Sequence, residues 1–154
     1  MNLNTLMVLK IKLMFKNKIM TKKEITQLSY EIVGCAIRVH KKLGPGLLES
    51  IYEECLKYEL LKKGFDVKQQ IPIRIEYDDL VLEKEYRFDL LVNDCVVVEL
   101  KTVDKFEPIH EAILLTYMNI LEIPQGLLIN FKTTNITKST KPFVNDYYRM
   151  LDDE

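Results

Sequence analysis

Residues 95–101, with the sequence CVVVELK, constrain the fold more than any other segment of the chain. The run is short, strongly apolar and preceded by a turn signal at Asn93-Asp94, which predicts a strand inside a sheet that is covered on both faces. A second apolar run, at 126–131, predicts another buried strand. The segment 108–121 between them predicts a helix, so the two strands form a strand–helix–strand crossover.

The hydrophobic pattern upstream changes its period once. Apolar residues recur at helical spacing over about 22–43 and again over about 48–63. From Val67 the pattern alternates, and it predicts strands at 67–77 and within 80–92. The predicted fold class is therefore α/β, with a central mixed β-sheet flanked by helices and made of two hairpins followed by one crossover. The polar segment after Lys132 is left without an assignment.

Length and composition indicate one domain. The chain has 154 residues and a net charge of −1, so a general attraction to nucleic acid is excluded and binding would need a local patch. Cys35, Cys55 and Cys95 are odd in number and widely spaced, which favours buried thiols in a reducing, cytoplasmic location. We divide the chain into an extension, 1–20, that is disordered or mis-started, and one domain, 21–154.

The extension is apolar but is interrupted by lysines. It therefore matches neither a membrane span nor a signal peptide, and no membrane contact is expected.

Two carboxylates lie within the apolar strands. Asp89 and Glu99 flank the Asn93-Asp94 turn, and in a hairpin they can approach each other. Glu99 and Lys101 are two residues apart and so share one face of their strand. Burying a carboxylate is unfavourable unless it is paired or bound to a metal. A solvated edge strand, or a simple ion pair between Glu99 and Lys101, is the alternative.

These residues resemble a known signature. Asp89 followed by Glu99-Leu100-Lys101 is similar to the PD-(D/E)xK motif, and residues 46–52, GLLESIY, resemble the motif of the GxxExxY family within that superfamily. The likeness covers about residues 22–132. It implies a restriction-endonuclease-like core and a catalytic site of Glu49, Asp89, Glu99 and Lys101. The three acids would bind Mg²⁺, with Mn²⁺ as a substitute, and the substrate would be nucleic acid, DNA before RNA.

One departure from the motif concerns the helix after Lys101. Related nucleases carry Gln-x-x-x-Tyr there, whereas this chain has Ile113 in place of the glutamine and keeps Tyr117. Tyr117 and His40 are the candidates for substrate positioning, and core packing is the alternative for both. Glu53 and Glu54 are interpreted as a solvated helix face.

Two functions from different classes follow from this pattern. The first is a Mg²⁺-dependent nuclease, which the four intact site residues favour. The second is a catalytically degenerate module on the same fold that binds nucleic acid or protein, which Ile113 and the near-neutral charge favour. The sequence does not distinguish a monomer from a homodimer.

The extension gives a first prediction. A chain that begins at Met20 should melt within about two degrees of the full chain, because changes in surface segments usually alter stability by under ~0.5 kcal/mol. Thermal unfolding followed by circular dichroism checks this. A drop of many degrees would show that the deleted residues pack against the domain.

Overall fold

The computed structural model of the protein describes Leu3, Leu6 and residues 20–154, apart from the side chains of residues 83–86. Most of the predicted extension lies outside these residues. Leu3 and Leu6 are exposed, whereas Met20 is buried and belongs to the core. The elements run in the order α1 Lys22–Leu43, α2 Glu49–Lys62, β1 Val67–Tyr77, β2 Leu80–Val92, β3 Val96–Lys101, α3 Pro108–Leu121, β4 Gln125–Asn130, β5 Thr140–Val144 and α4 Asp146–Arg149.

The strands form one sheet of five in the order β1-β2-β3-β4-β5. All neighbours are antiparallel except β3 and β4, which are parallel and connected through α3. The predicted fold class, a mixed sheet of two hairpins and one crossover, is confirmed. None of the helices in the described part of the chain is long and apolar enough to cross a membrane.

The sheet separates two apolar layers. On one face, α1 and α2 pack against alternate residues of the central strands, among them Val96, Val98 and Leu100. On the other face, α3 packs against the residues in between, including Val97 and Leu128. Burial on both faces explains why β3 and β4 are continuous apolar runs.

Local signals fix the ends of α1. Thr21 and Glu24 form a reciprocal capping box at the first turn. The helix ends at Gly44, whose φ of 71° lies in the left-handed region that glycine adopts without strain. Cys35 and Cys95 are buried and Cys55 is half-buried, and none of the three forms a disulfide within the part of the chain that the structure describes.

The segment without an assignment after Lys132 completes the sheet. It contains a 3₁₀ turn at Thr137–Ser139, strand β5 and the short helix α4. The sequence did not predict strand β5, because it is an edge strand of mostly exposed residues with Pro142 inside it. Proline is tolerated at an edge, where its missing N–H is not needed by a further strand.

Two glycines give a matched test of this packing. A Cβ added at Gly126 in β4 would lie 2.7 Å from Met118 Sδ and 2.9 Å from Leu114 Cδ1 of α3, whereas one added at Gly34 in α1 meets nothing within 4 Å. Gly126→Ala should therefore destabilise the protein by about 1–3 kcal/mol through overpacking. Gly34→Ala should stabilise it by about 0.5–1 kcal/mol, because alanine is the better helix former. Urea unfolding measures both, and changes of the same sign would contradict the close α3–β4 contact.

Candidate active site at a fork in the sheet

The site begins where β2 and β3 separate. Their backbone pairing runs from Val92–Val96 to Leu90–Val98 and goes no further, although β3 continues to Lys101. Beyond that point two carboxylates replace the backbone ladder. The Asp89 N–H donates to Glu99 Oε1 at 2.8 Å, and the Leu100 N–H donates to Asp89 Oδ2 at 2.8 Å. We call this reciprocal arrangement of Asp89, Glu99 and Leu100 the fork.

Glu49 and Lys101 lie beside the fork. Glu49 is the first residue of α2 and is half-buried; burial raises the pKa of its carboxyl, and Lys101 and the backbone of Thr102, just after β3, oppose that rise. The positive charge of Lys101 also opposes the rise in pKa that burial causes at Asp89 and Glu99. The structure thus brings all four predicted site residues into one electrostatic neighbourhood.

Glu53 is a fourth acid at the site, and its interpretation as part of a solvated face is wrong. It is one turn after Glu49 on α2 and only 6% exposed. Its Oε2 accepts from Gln69 Nε2 at 2.6 Å, and its Oε1 accepts from Gln70 Nε2 at 2.7 Å. Gln70 Nε2 also donates to Asp89 Oδ1 at 3.2 Å. Glu54, the residue after Glu53 on α2, is exposed, as expected.

Burial makes the charged forms of these acids unfavourable. It raises the pKa of Glu99 to about 8, helped by repulsion from Asp89 and Glu49. It raises the pKa of Glu53 to about 7, with Asp89 adding to the effect. Burial also raises the pKa of Asp89 and of Glu49, and the Leu100 N–H opposes it at Asp89. Burial therefore acts on all four carboxyl groups, and Lys101 offsets it at Glu49, Asp89 and Glu99.

This donor set fits a hard divalent cation. Its members are all carboxylate oxygens, which suit Mg²⁺ or Mn²⁺ and not the softer metals that take thiolates. A cation would also offset the surplus of negative charge. Within residues 20–154, side chains 83–86 aside, no three His, Cys, Asp or Glu side chains already stand as a ligand set.

The two candidates for substrate positioning lie in packed surroundings. His40 Nε2 is 2.8 Å from the Thr133 carbonyl oxygen, and the ring is 6.4 Å from that of Phe131. Tyr117 is half-buried on α3, with its ring 6.4 Å from the Phe88 ring. The contacts described for both are with core or loop residues and not with the carboxylates, so a role toward substrate stays a prediction.

Asn130 fixes the loop that follows Lys101. Its side chain accepts from the Val103 N–H at 3.1 Å and donates to the Val103 carbonyl oxygen at 2.7 Å, so it holds the loop that follows Lys101. The Phe131 N–H donates to the Lys101 carbonyl oxygen at 2.8 Å. Asn130 was not singled out in the sequence, although a buried asparagine at the end of an apolar strand is a signal of such a role.

Comparison with known families gives one match. A family model described as the PD-(D/E)XK nuclease superfamily matches residues 26–143, which is well over half of the chain. The chain therefore belongs to the PD-(D/E)XK nuclease superfamily. This membership points to nuclease activity on nucleic acid. Searches among curated proteins and among solved structures found no match.

The raised pKa values predict how stability depends on pH without metal. Glu99 binds a proton more tightly when folded, with a pKa of about 8 against 4.5, so its contribution is full below pH 4.5 and is lost as the pH rises toward 8. We expect the free energy of unfolding in EDTA to fall between about pH 5 and 8, by on the order of 3–6 kcal/mol for Glu99 and Glu53 together.

Urea unfolding across this pH range measures the slope. Glu99→Gln should flatten it, because a neutral amide does not titrate. Asp104, whose pKa is lowered by its bond to Lys132, titrates below this window and does not interfere. A stability that rises from pH 5 to 8 would show that the fork carboxyls are not held in an unfavourable charged form.

Proposed function

We propose that this protein is a Mg²⁺-dependent nuclease that hydrolyses phosphodiester bonds in DNA, with Mn²⁺ able to replace Mg²⁺. The observation that carries the proposal is the cluster of four buried or half-buried carboxyl groups at and beside the fork, where Lys101 offsets three of them. Such an arrangement is unfavourable by itself, and it becomes favourable when a divalent cation supplies the missing positive charge.

The residues have distinct roles in this proposal. Glu49 from α2, Asp89 from β2 and Glu99 from β3 would hold the cation, so three elements converge on one ion. When bound, the cation supplies polarisation of a phosphoryl oxygen and activation of a water molecule. Each carboxylate has two oxygens, so Asp89 and Glu99 can keep their backbone partners and still offer an oxygen to the cation.

Lys101 would act on the substrate side. Its ammonium already influences all three acids, and on the same face as Glu99 it can stabilise negative charge that develops on the phosphate. Because the Phe131 N–H holds the Lys101 carbonyl oxygen and Asn130 holds Val103, the Lys101 side chain extends from a fixed backbone. We also propose that the chain belongs to the GxxExxY branch, on the motif at 46–52, and that it is cytoplasmic, on three cysteines that form no disulfide among the described residues.

The second candidate function is a binding module without catalysis. One observation favours it: Ile113, at the position where related nucleases have glutamine, is 38% exposed on α3 and offers no hydrogen bond to a substrate. The same fold would then bind nucleic acid or protein without cutting it. Metal binding separates the two functions, because a module has no need of a cation at the fork.

The nuclease proposal predicts metal-dependent cleavage. Incubated with Mg²⁺, the protein should cut single-stranded, duplex or branched DNA, and EDTA should stop it. Asp89→Asn and Lys101→Ala should each reduce the rate by at least about 100-fold. RNA substrates tested in parallel show whether DNA is preferred. Asp79→Asn, in the exposed β1–β2 turn, and Lys138→Ala, in an exposed position, are the matched controls and should retain full activity.

Thermal unfolding tests cation binding separately from cleavage. The wild-type Tm should rise with Mg²⁺, because a ligand stabilises the state that binds it. Asp89→Asn should be at least as stable as wild type without metal and gain little from Mg²⁺. Lys101→Ala should be less stable without metal and still respond. A Tm unmoved by millimolar Mg²⁺ in all three proteins, together with no cleavage, would favour the binding module.

A further inference from the structure

Gln70 has an unusual backbone for a residue inside a strand. Its φ is 52°, in the left-handed region that residues other than glycine rarely adopt. The pairs Gln69–Leu90 and Ile71–Phe88 flank it in the β1–β2 register, while Gln70 and Asp89 form no such pair. A strained residue at this point needs a structural or functional reason.

At this position in both β1 and β2, the side chains change the face of the sheet on which they pack, and we call this change the turnover. Leu90 packs on the face covered by α1 and α2, whereas Phe88, two residues away, packs on the face covered by α3. Regular alternation would place both side chains on the same face. Ile71 likewise packs with Phe88, while Val67 packs with Leu90. The turnover leaves Asp89 between the faces, and its carboxyl reaches Leu100 of β3 within the fork.

The Gln70 side chain completes the arrangement. Its Nε2 donates to Glu53 Oε1 at 2.7 Å and to Asp89 Oδ1 at 3.2 Å. Ionised carboxylates only accept hydrogen bonds, so the NH₂ group faces both acids and its two hydrogens are used. The amide thus connects α2, which carries Glu49 one turn before Glu53, to the strand that carries Asp89.

We propose that Gln70 and Glu53 are positioning residues for Asp89, and that they set the separation between Asp89 and Glu49 at the cation site. The left-handed backbone of Gln70 turns Asp89 into the fork, and its amide holds the carboxyl at a fixed distance from α2. This inference rests on the proposed metal-dependent function. Groups that orient metal ligands without touching the metal typically alter affinity by 10–100-fold.

The alternative is that Gln70 and Glu53 serve stability alone. Three variants separate the two roles. Gln70→Gly keeps the left-handed backbone and removes the amide, Gln70→Met removes the amide and keeps the strain, and Glu53→Gln leaves the Gln70 backbone untouched. Gln27→Met is the matched control, because Gln27 is an exposed glutamine of α1 whose side chain, among the described residues, donates to Glu31 one helical turn later.

Isothermal titration with Mg²⁺ alone is the decisive measurement, on variants first shown to be folded by circular dichroism. We expect Gln70→Met, Gln70→Gly and Glu53→Gln each to weaken Mg²⁺ binding by about 10-fold or more. Gln27→Met should match wild type. The double variant of Gln70→Met with Glu53→Gln should bind no more weakly than the worse single variant, since both remove one connection. Raising the Mg²⁺ concentration should restore most cleavage in these variants, which a lost catalytic group would not allow.

Stability gives an independent readout. Gln70→Gly should have a higher Tm than Gln70→Met, because glycine adopts the left-handed region without strain. Mg²⁺ affinities within about twofold of wild type in all folded variants would overturn the positioning role while leaving the proposed function intact. Wild type that binds no Mg²⁺ would overturn both, and this result is visible before any variant is made.

Discussion

The reciprocal bonding of Asp89 and Glu99 is the interaction on which the rest of the site depends. Each carboxyl takes a backbone N–H that the separated strands no longer pair, so the fork leaves neither buried N–H group without an acceptor. Buried N–H groups without acceptors are strongly unfavourable. The same two bonds fix both carboxyls at the end of the β2–β3 ladder. The same two hydrogen bonds therefore satisfy the backbone where the sheet opens and position the acidic side chains of the site.

The electrostatics of the site are unfavourable in the folded protein without metal. Burial raises the pKa of Glu49, Glu53, Asp89 and Glu99, so the ionised forms that a cation needs are disfavoured in the folded protein without metal. The apolar layers on the two faces of the sheet supply the stability that tolerates this. An acidic cluster under such strain is typical of functional sites, where stability is given up for chemistry.

The sequence predicts the fold well because burial determines it. The apolar runs of β3 and β4 have few other structures open to them, and the hairpin brings Asp89 and Glu99 together from the turn at Asn93-Asp94 alone. The burial of Glu53 was not predicted because the helical spacing of apolar residues does not indicate which polar positions of α2 will be covered by β1 and β2. The role of Gln70 was not predicted because an alternating pattern of residues does not indicate a left-handed backbone. The hydrogen bonds of its side chain to Glu53 and Asp89 explain why that backbone is present.

The two sides of β3 differ in a way that suits the proposed chemistry. Toward β4 the parallel pairing continues to Lys101–Asn130, and Asn130 then secures the loop after Lys101. Toward β2 the pairing stops at Val98, and carboxyls take its place. Lys101 thus stands on a backbone that is paired on its β4 side, while the acids beside it stand where the sheet opens. A lysine on a backbone held by β4, next to acids whose carboxyls are held by the fork, keeps the residue that would face the phosphate and the residues that would hold the cation in fixed positions.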